Sequence, residues 1–352
     1  MEISEYLKKL YFSELKLKIK FLEDSYMPEL KGSTFRGGFG YVFKRISCPL
    51  KLNSCINCIV AGSCPYANVF TNPSEISRKT FLPDNSFTPH PFIFDFYDNE
   101  KLKKTSFKKD ETFEFSFIIV GNAIRFLSYF ILTFLKLGKQ GIGKGRHKYS
   151  LETVLSDDAT IYESESGKIS QENLKILKYE DVAEIIKIYG PGTSENSLKE
   201  IYTEVQPNEK YRTDFKFITP VRIKKDKRYS EFFDFEIFMT NVVRRLYLLT
   251  SLFCLEKNDN SEVSGVKEFL EYSKQVSTVS NNLVWYDWER YSTRQKTSMM
   301  FGGLVGKISF CPAGKIINKY FPCLSACKYL HVGKGTTFGL GKFELSSIEN
   351  FK

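Results

Sequence analysis

The 352-residue chain writes one order of elements twice. In the first half "ELKLKIKFL" alternates apolar and charged residues, as a half-buried strand does. "STFRGGFGYVFKRI" follows at helical spacing, with Ser33 or Thr34 placed to cap it. Two strand candidates, "FIFDF" and "TFEFSFIIV", lead to a helix expected over 122–138, a glycine turn in "LGKQGIGKGRHKYSL", and another strand. The second half repeats the order. It has the strand "DFKFITPVRI", the helix "FFDFEIFMTNVVRRLYLLTSLF", and the strands "LVWYDWERYS" and "SMMFGGLVGKISF". The helical "GKIINKYFPCLSACKYL" comes next, which Pro322 should bend or shorten, and then "GKGTTFGLGKFEL". Strand, helix, strand, strand, helix, glycine loop, strand is the ferredoxin-like βαββαβ order. The expected fold class is α+β, two tandem ferredoxin-like domains. The boundaries fall at 1–155 and 206–352, with an acidic connecting segment over 156–205.

The charge pattern narrows the partners. Lys and Arg total 51 against 41 Asp and Glu, a net +10. Residues 157–204 hold 11 acidic and 5 basic residues, so the remainder carries +16. A basic body beside one acidic segment suits a nucleic acid. Basic residues gather at 101–109, 136–148, 210–228 and 290–307. Each alone fits a solvated face, whereas four runs flanking the repeated elements look like a path for phosphates. The most apolar run, "FIIVGNAIRFLSYFILTFLKLG", is broken by Gly121, Asn122 and Arg125, so no membrane span is expected. The N-terminus does not read as a signal peptide, and the expected compartment is the cytoplasm.

Four of the eight cysteines crowd into "CPLKLNSCINCIVAGSC", at the spacing Cys48-x6-Cys55-x2-Cys58-x5-Cys64. Four thiolates can complete a tetrahedral zinc shell, and the central C-x-x-C suits a metal knuckle. An iron–sulfur cluster would take the same four ligands. Unligated buried thiols are the alternative. The expected role is structural: a cysteine-rich insertion of the first domain, held beside its first helix.

The glycine loops hold the other signal. "VGKGTTFGLGKF" at 332–343 carries Gly333, Gly335, Gly339 and Gly341 with Lys334 and Lys342. Gly141-Ile142-Gly143-Lys144 resembles Gly339-Leu340-Gly341-Lys342. Such glycines serve either tight turns or a close backbone approach to phosphate.

With "DWERYSTRQKTSMMFGGLVGKISF" placed before "LHVGKGTTFGLGKFEL", the second half resembles the CRISPR-associated endoribonucleases of the RAMP superfamily. These process precursor CRISPR RNA. "FRGGFGYVFKRISC" and "GIGKGR" extend the resemblance into the first half. It implies two ferredoxin-like domains with RNA along their cleft and a metal-independent reaction. The ribose 2′-OH attacks the adjacent phosphate, leaving a 2′,3′-cyclic phosphate and a 5′-OH. The partner it implies is CRISPR repeat RNA. A non-catalytic RAMP subunit that binds CRISPR RNA among effector-complex subunits is the alternative.

The chemistry needs proton carriers and cations. Relatives place a histidine on the first helix, but the three histidines here are His90, His147 and His331, none of them in that helix. Tyr41 stands where the histidine is expected. Phenols titrate near ~10, so a tyrosine serves as a base only beside cations such as Arg36, Lys44 and Arg45. Tyr41 equally fits a half-buried aromatic. His147, between Arg146 and Lys148, brings an imidazole able to shuttle protons near neutrality. It equally fits a surface histidine on phosphate. The catalytic candidates are Tyr41, His147 and Lys44. For RNA the candidates are Arg36, Lys144, Arg146, Arg290, Tyr291, Arg294, Lys334, Gly335, Thr336, Gly339 and Lys342. Trp285 and Trp288 are assigned to the interdomain core. The loop at 333–341 is expected to pack on the second domain's first helix and offer amides to phosphate.

Overall fold

A computed structural model describes residues 1–51, 55, 58–71, 88–96, 103–183, 206–225, 228–229, 231–256, 262–292 and 297–350, without the side chains of 224–225, 228, 289–292, 297–300, 347 and 350. The first unit runs β1 (Tyr11–Phe21), α1 (Gly32–Ser47), β2 (Phe92–Asp95), β3 (Thr112–Val120), α2 (Leu127–Gln140), β4 (Tyr149–Ser156) and β5 (Ala159–Glu163). Its sheet has the order β2-β3-β1-β4-β5. The second runs β6 (Tyr211–Val221), α3 (Phe235–Phe253), β7 (Ser277–Ser292), β8 (Thr297–Cys311), α4 (Gly314–Leu330) and β9 (Phe343–Asn350). Its sheet order is β7-β8-β6-β9. In both units the second and third strands pair and the first lies between the third and fourth. All these ladders are antiparallel. This is the tandem ferredoxin-like fold that the element order predicts.

Alternation along the first sheet explains how the units join. Phe113, Phe115, Phe117 and Ile119 of β3 share one core with Phe35, Phe39 and Phe43 of α1 and Phe130 and Phe134 of α2. The opposite face carries Phe12, Ile93, Ile118 and Val120. These residues join a second core with the α3 residues Val242, Val243 and Leu246 and with Cys323 and Cys327 of α4. The run "FIIV" is apolar throughout because both faces are covered there. Helices α3 and α4 are buried around most of their circumference, as helices covered on more than one side are. Tyr6 Oη shares a hydrogen bond with Ser251 Oγ at 2.6 Å, and Cys254 Sγ donates to the Tyr11 carbonyl at 3.7 Å, along the same junction.

Local details depart from expectation. Helix α1 begins at Gly32 and has no side-chain cap, so neither Ser33 nor Thr34 caps it. Asp234 does cap α3, accepting from Ile237 N at 2.7 Å, an arrangement worth about 1 kcal/mol. Helix α4 runs unbroken through Pro322. Residues 159–178 extend the first sheet through β5 and Leu177–Lys178, whereas 184–205 of the expected acidic connector lie outside the described residues. Among the described residues no helix is long and apolar enough to cross a membrane.

Candidate nucleic-acid interface

The two glycine loops occupy the same link, second helix to fourth strand, yet meet opposite surroundings. In the first, Ile142 and His147 exchange two backbone hydrogen bonds of 2.9 Å, which closes a tight turn. Gly143, Lys144, Gly145 and Arg146 at its tip are exposed. Arg146 adopts a left-handed φ of 51°, and the His147 ring folds over Gly145, where a Cβ would overlap it. The loop meets α1 at Thr34, 3.7 Å from the position of a Gly143 Cβ. Tyr41 lies two turns further along that helix, about 10 Å away.

The second loop is a domain seam. It packs on the end of β6 and on the first unit, not on α3 as expected. Thr219 Oγ1 donates to the Gly339 carbonyl at 2.7 Å, and Lys334 N donates to the Arg222 carbonyl at 2.8 Å. A Cβ on Gly339 would lie 2.6 Å from the Phe94 carbonyl oxygen of β2. Thr336 and Thr337 are buried. Both Gly335 and Gly339 have left-handed backbone, with φ of 83° and 82°. The glycines here therefore satisfy a turn and an interdomain approach. Gly335, Thr336 and Gly339, expected to face RNA, face protein instead. Lys342 is committed too: its Nζ lies 2.6 Å from Asp95 Oδ2, at the end of β2.

Asp95 anchors the seam. Besides Lys342 it faces His331 Nε2 at 3.4 Å, and the other ring nitrogen of His331 lies 3.2 Å from the Leu340 carbonyl. Burial raises the Asp95 carboxyl, but His331 and Lys342 outweigh it and hold the group below its usual range. His331, at the C-cap of α4, is fully buried, and desolvation lowers its pKa, opposed in part by Asp95.

His90 is half-buried, 3.2 Å from Arg36 Nη2. A guanidinium only donates, so His90 Nε2 accepts and the ring is neutral. Burial, with the charges of Arg36 and then Arg245, drives its pKa down to about 3. Because the unfolded ring takes up a proton near pH ~6.5 and the folded one does not, its stability contribution is complete above that pH and is lost as pH falls toward 3. Unfolding free energy should fall by about 1.4 kcal/mol per pH unit from this group alone. Urea unfolding between pH 6.5 and 4.5 measures that slope, and His90→Phe should flatten it.

The remaining candidates spread along α1 and β7. Tyr41 is 61% exposed, with the Arg45 guanidinium 5.6 Å over its ring. Lys44 lies 5.4 Å from the Tyr66 ring, and Arg36 lies between Phe70 at 5.2 Å and Phe338 at 5.8 Å. Arg290 and Tyr291 have no described side chains, and Arg294 lies outside the described residues. Of the two tryptophans, Trp285 packs against the core that the two units share. Trp285 is half-buried over Gly302 and donates to Asp287 Oδ1 at 2.9 Å; Trp288 is half-buried beside Phe301.

Cys48 and Cys64 are buried, Cys55 and Cys58 half-buried. Cys64 Sγ donates to the Ser47 carbonyl at 3.6 Å. Burial raises the pKa of Cys55, and Cys48, Cys64 and Cys58 lie near enough for their charges to add to it, while Lys44 opposes them; among the described residues no group of three or more Cys, His, Asp or Glu side chains is arranged to hold a metal.

The family model of the CRISPR-associated endoribonuclease Cas6 matches residues 215–343, from β6 through the seam loop to the start of β9. The second unit resembles the Cas6 endoribonucleases over that span. A second model, AF_1859_N, described as an N-terminal domain, matches residues 10–174. An uncharacterised protein of Archaeoglobus fulgidus is 23% identical over 341 residues, covering 96% of this chain and 99% of its own. Among solved structures, a Thermus thermophilus Cas6 product complex aligns with a TM-score of 0.51 at 13% identity, over 94% of this chain and 98% of that one. A chain of a partial Cas6-RT-Cas1–Cas2 complex aligns with a TM-score of 0.53 at 14% identity, covering 96% of this chain; this chain spans 46% of its length. These structural likenesses establish the fold. Asp95 from the first unit and Arg222, Phe301 and Phe338 from the second shape the seam although sequence reasoning passed over them. Asp95 had a signal: a carboxylate inside the apolar run "FIFDF" needs a buried partner.

Proposed function

We propose that this protein cleaves precursor CRISPR RNA within its repeats by internal attack of a ribose 2′-OH. The 2′-oxygen bonds to phosphorus as the bond from phosphorus to the 5′-oxygen breaks. A base takes the 2′-OH proton and an acid protonates the leaving 5′-oxygen, so the products end in a 2′,3′-cyclic phosphate and a 5′-OH. The match of the Cas6 endoribonuclease model across the second unit carries this reading.

Of the three histidines, His331 is fully buried and His90 is engaged by the Arg36 guanidinium, whereas His147 stands partly open in the exposed loop. We assign His147 to proton transfer, with Lys144 and Arg146 holding the phosphate. Tyr41 is the second candidate, favoured by its exposure and by the Arg45 Nη1 hydrogen bond of 3.5 Å to its hydroxyl. Lys44, about one turn beyond Tyr41 on α1, would then supply charge to the phosphate. Single-turnover cleavage of the cognate repeat separates the two. His147→Ala should lower the rate by about 10²–10⁴-fold, and Tyr41→Phe by less than about tenfold. The opposite ranking would move the proton transfer to α1.

The function itself is tested by incubating the protein with cognate repeat RNA in EDTA and analysing the product ends. Cleavage at one position with a cyclic phosphate supports the reading. Binding without cleavage would favour the non-catalytic RAMP subunit, a role consistent with an α1 that carries tyrosine rather than histidine.

A further inference from the structure

Rings and two cations form a continuous line across the domain seam. On the second unit Tyr286 and Trp288 stack with ring centroids 6.1 Å apart. Trp288 rests on its cross-strand partner Phe301 at 5.7 Å, and Phe301 meets Phe338 edge-on at 6.5 Å. Arg36 of the first unit then lies against Phe338, and on its other side against Phe70. Phe70 stacks with Tyr66 at 5.0 Å, and Lys44 lies over Tyr66.

This line is not simply core. Tyr286 is 39% exposed, and Trp288, Phe338, Arg36, Tyr66 and Lys44 are all partly open to solvent. Beneath it is a rigid backing. Arg222 is held between Tyr229 at 4.3 Å and Phe301 at 4.2 Å, and Gly303 leaves the strand bare where the Arg222 stem crosses it. Interior packing needs neither open rings nor cations set between them. A base, by contrast, offers a π-face to a ring or a guanidinium whatever its identity, with stacking worth about 1–3 kcal/mol per base. Paired bases hide those faces, so such a track selects unpaired nucleotides.

We propose that this line, from Tyr286 and Trp288 through Phe338 and Arg36 to Tyr66 and Lys44, is a stacking track for an unpaired segment of RNA crossing from one unit to the other. It rests on the RNA-processing reading above and adds where and in what state the RNA crosses the seam: single-stranded, and held by its bases as well as by phosphate.

The test uses the full chain and an oligouridylate of about 12 nucleotides, within the usual site sizes of stacking platforms. With Trp285→Phe in place, Trp288 is the one remaining tryptophan, and its fluorescence should be quenched on binding. Tyr286→Leu, at an exposed position, and Tyr66→Leu should each weaken binding by about tenfold and together by about 100-fold. The slope of log affinity against log salt should stay that of the parent, because no phosphate contact is removed. Affinities within about twofold of the parent, or an unquenched Trp288 at saturation, would overturn the track. Repeat cleavage assayed alongside keeps the two readings apart. A protein that cleaves its repeat but ignores these substitutions loses the track alone. A protein that cleaves nothing yet binds the oligomer through these rings loses the nuclease reading alone.

Discussion

Asp95→Asn should destabilise the protein by about 3–5 kcal/mol, the cost of removing one partner from a buried ion pair. The carboxylate lies at the end of β2 and is almost fully buried, and it receives Lys342 Nζ at 2.6 Å from the second unit. An amide keeps the shape but not the charge, leaving a largely buried ammonium without this carboxylate. The loss should fall on the seam. Asp95 joins the edge strand of the first sheet to the loop that precedes β9, while the first unit's own core lies on the other face of that sheet from the core the units share. Urea unfolding monitored by tryptophan fluorescence, which reports the second unit, should show the destabilisation. A double-mutant cycle with Lys342→Met should recover a coupling of about 1–3 kcal/mol. Additive effects would mean that the two groups do not depend on each other.

Gly32→Ala is expected to cost about 3 kcal/mol, because overpacking against an immovable neighbour is expensive. Elsewhere in a helix the same change would stabilise by about 1 kcal/mol. The reversal follows from one contact. The Phe338 carbonyl of the seam loop lies against the first residue of α1, and an alanine Cβ would overlap that oxygen. Backbone on one side and helix on the other leave little room to relax. Gly37, in the same helix, has nothing within 4 Å of where its Cβ would stand. Gly37→Ala is therefore the internal control and should raise stability by about 0.5–1 kcal/mol. Thermal unfolding of the two variants, measured together, should give shifts of opposite sign. Equal shifts would show that α1 and the loop do not press on each other.

The order of strands and helices was readable because each segment carries its own period. "ELKLKIKFL" alternates and "FEIFMTNVVRRLYLLTSLF" does not, whichever neighbours they acquire. The setting of the glycine loops was not readable, for the same reason. "GIGK" and "GLGK" are nearly one local sequence, yet one ends exposed and the other is pressed between β6 and the first unit. What separates them is the surface that arrives from elsewhere in the chain. The paired Arg244 and Arg245 show the same limit. Helical geometry allows only one to face inward, but only packing shows that it is Arg245, its Nε donating to the Leu330 carbonyl at 3.2 Å. The tryptophans were assigned to the core on hydrophobicity. They lie half-open on β7 because Gly302 gives Trp285 a place to lie flat on the strand and Phe301 gives Trp288 a ring to lean on.

The central claim is that RNA is cut by its own 2′-hydroxyl within a repeat. A repeat RNA with a single 2′-deoxy substitution on the nucleotide just before the cleavage site tests it most directly. The substituted RNA should bind as the unmodified repeat does and should not be cut at that position, whereas a 2′-deoxy group one nucleotide away should leave cleavage intact. Cleavage of the substituted RNA at the same position and rate would contradict the account.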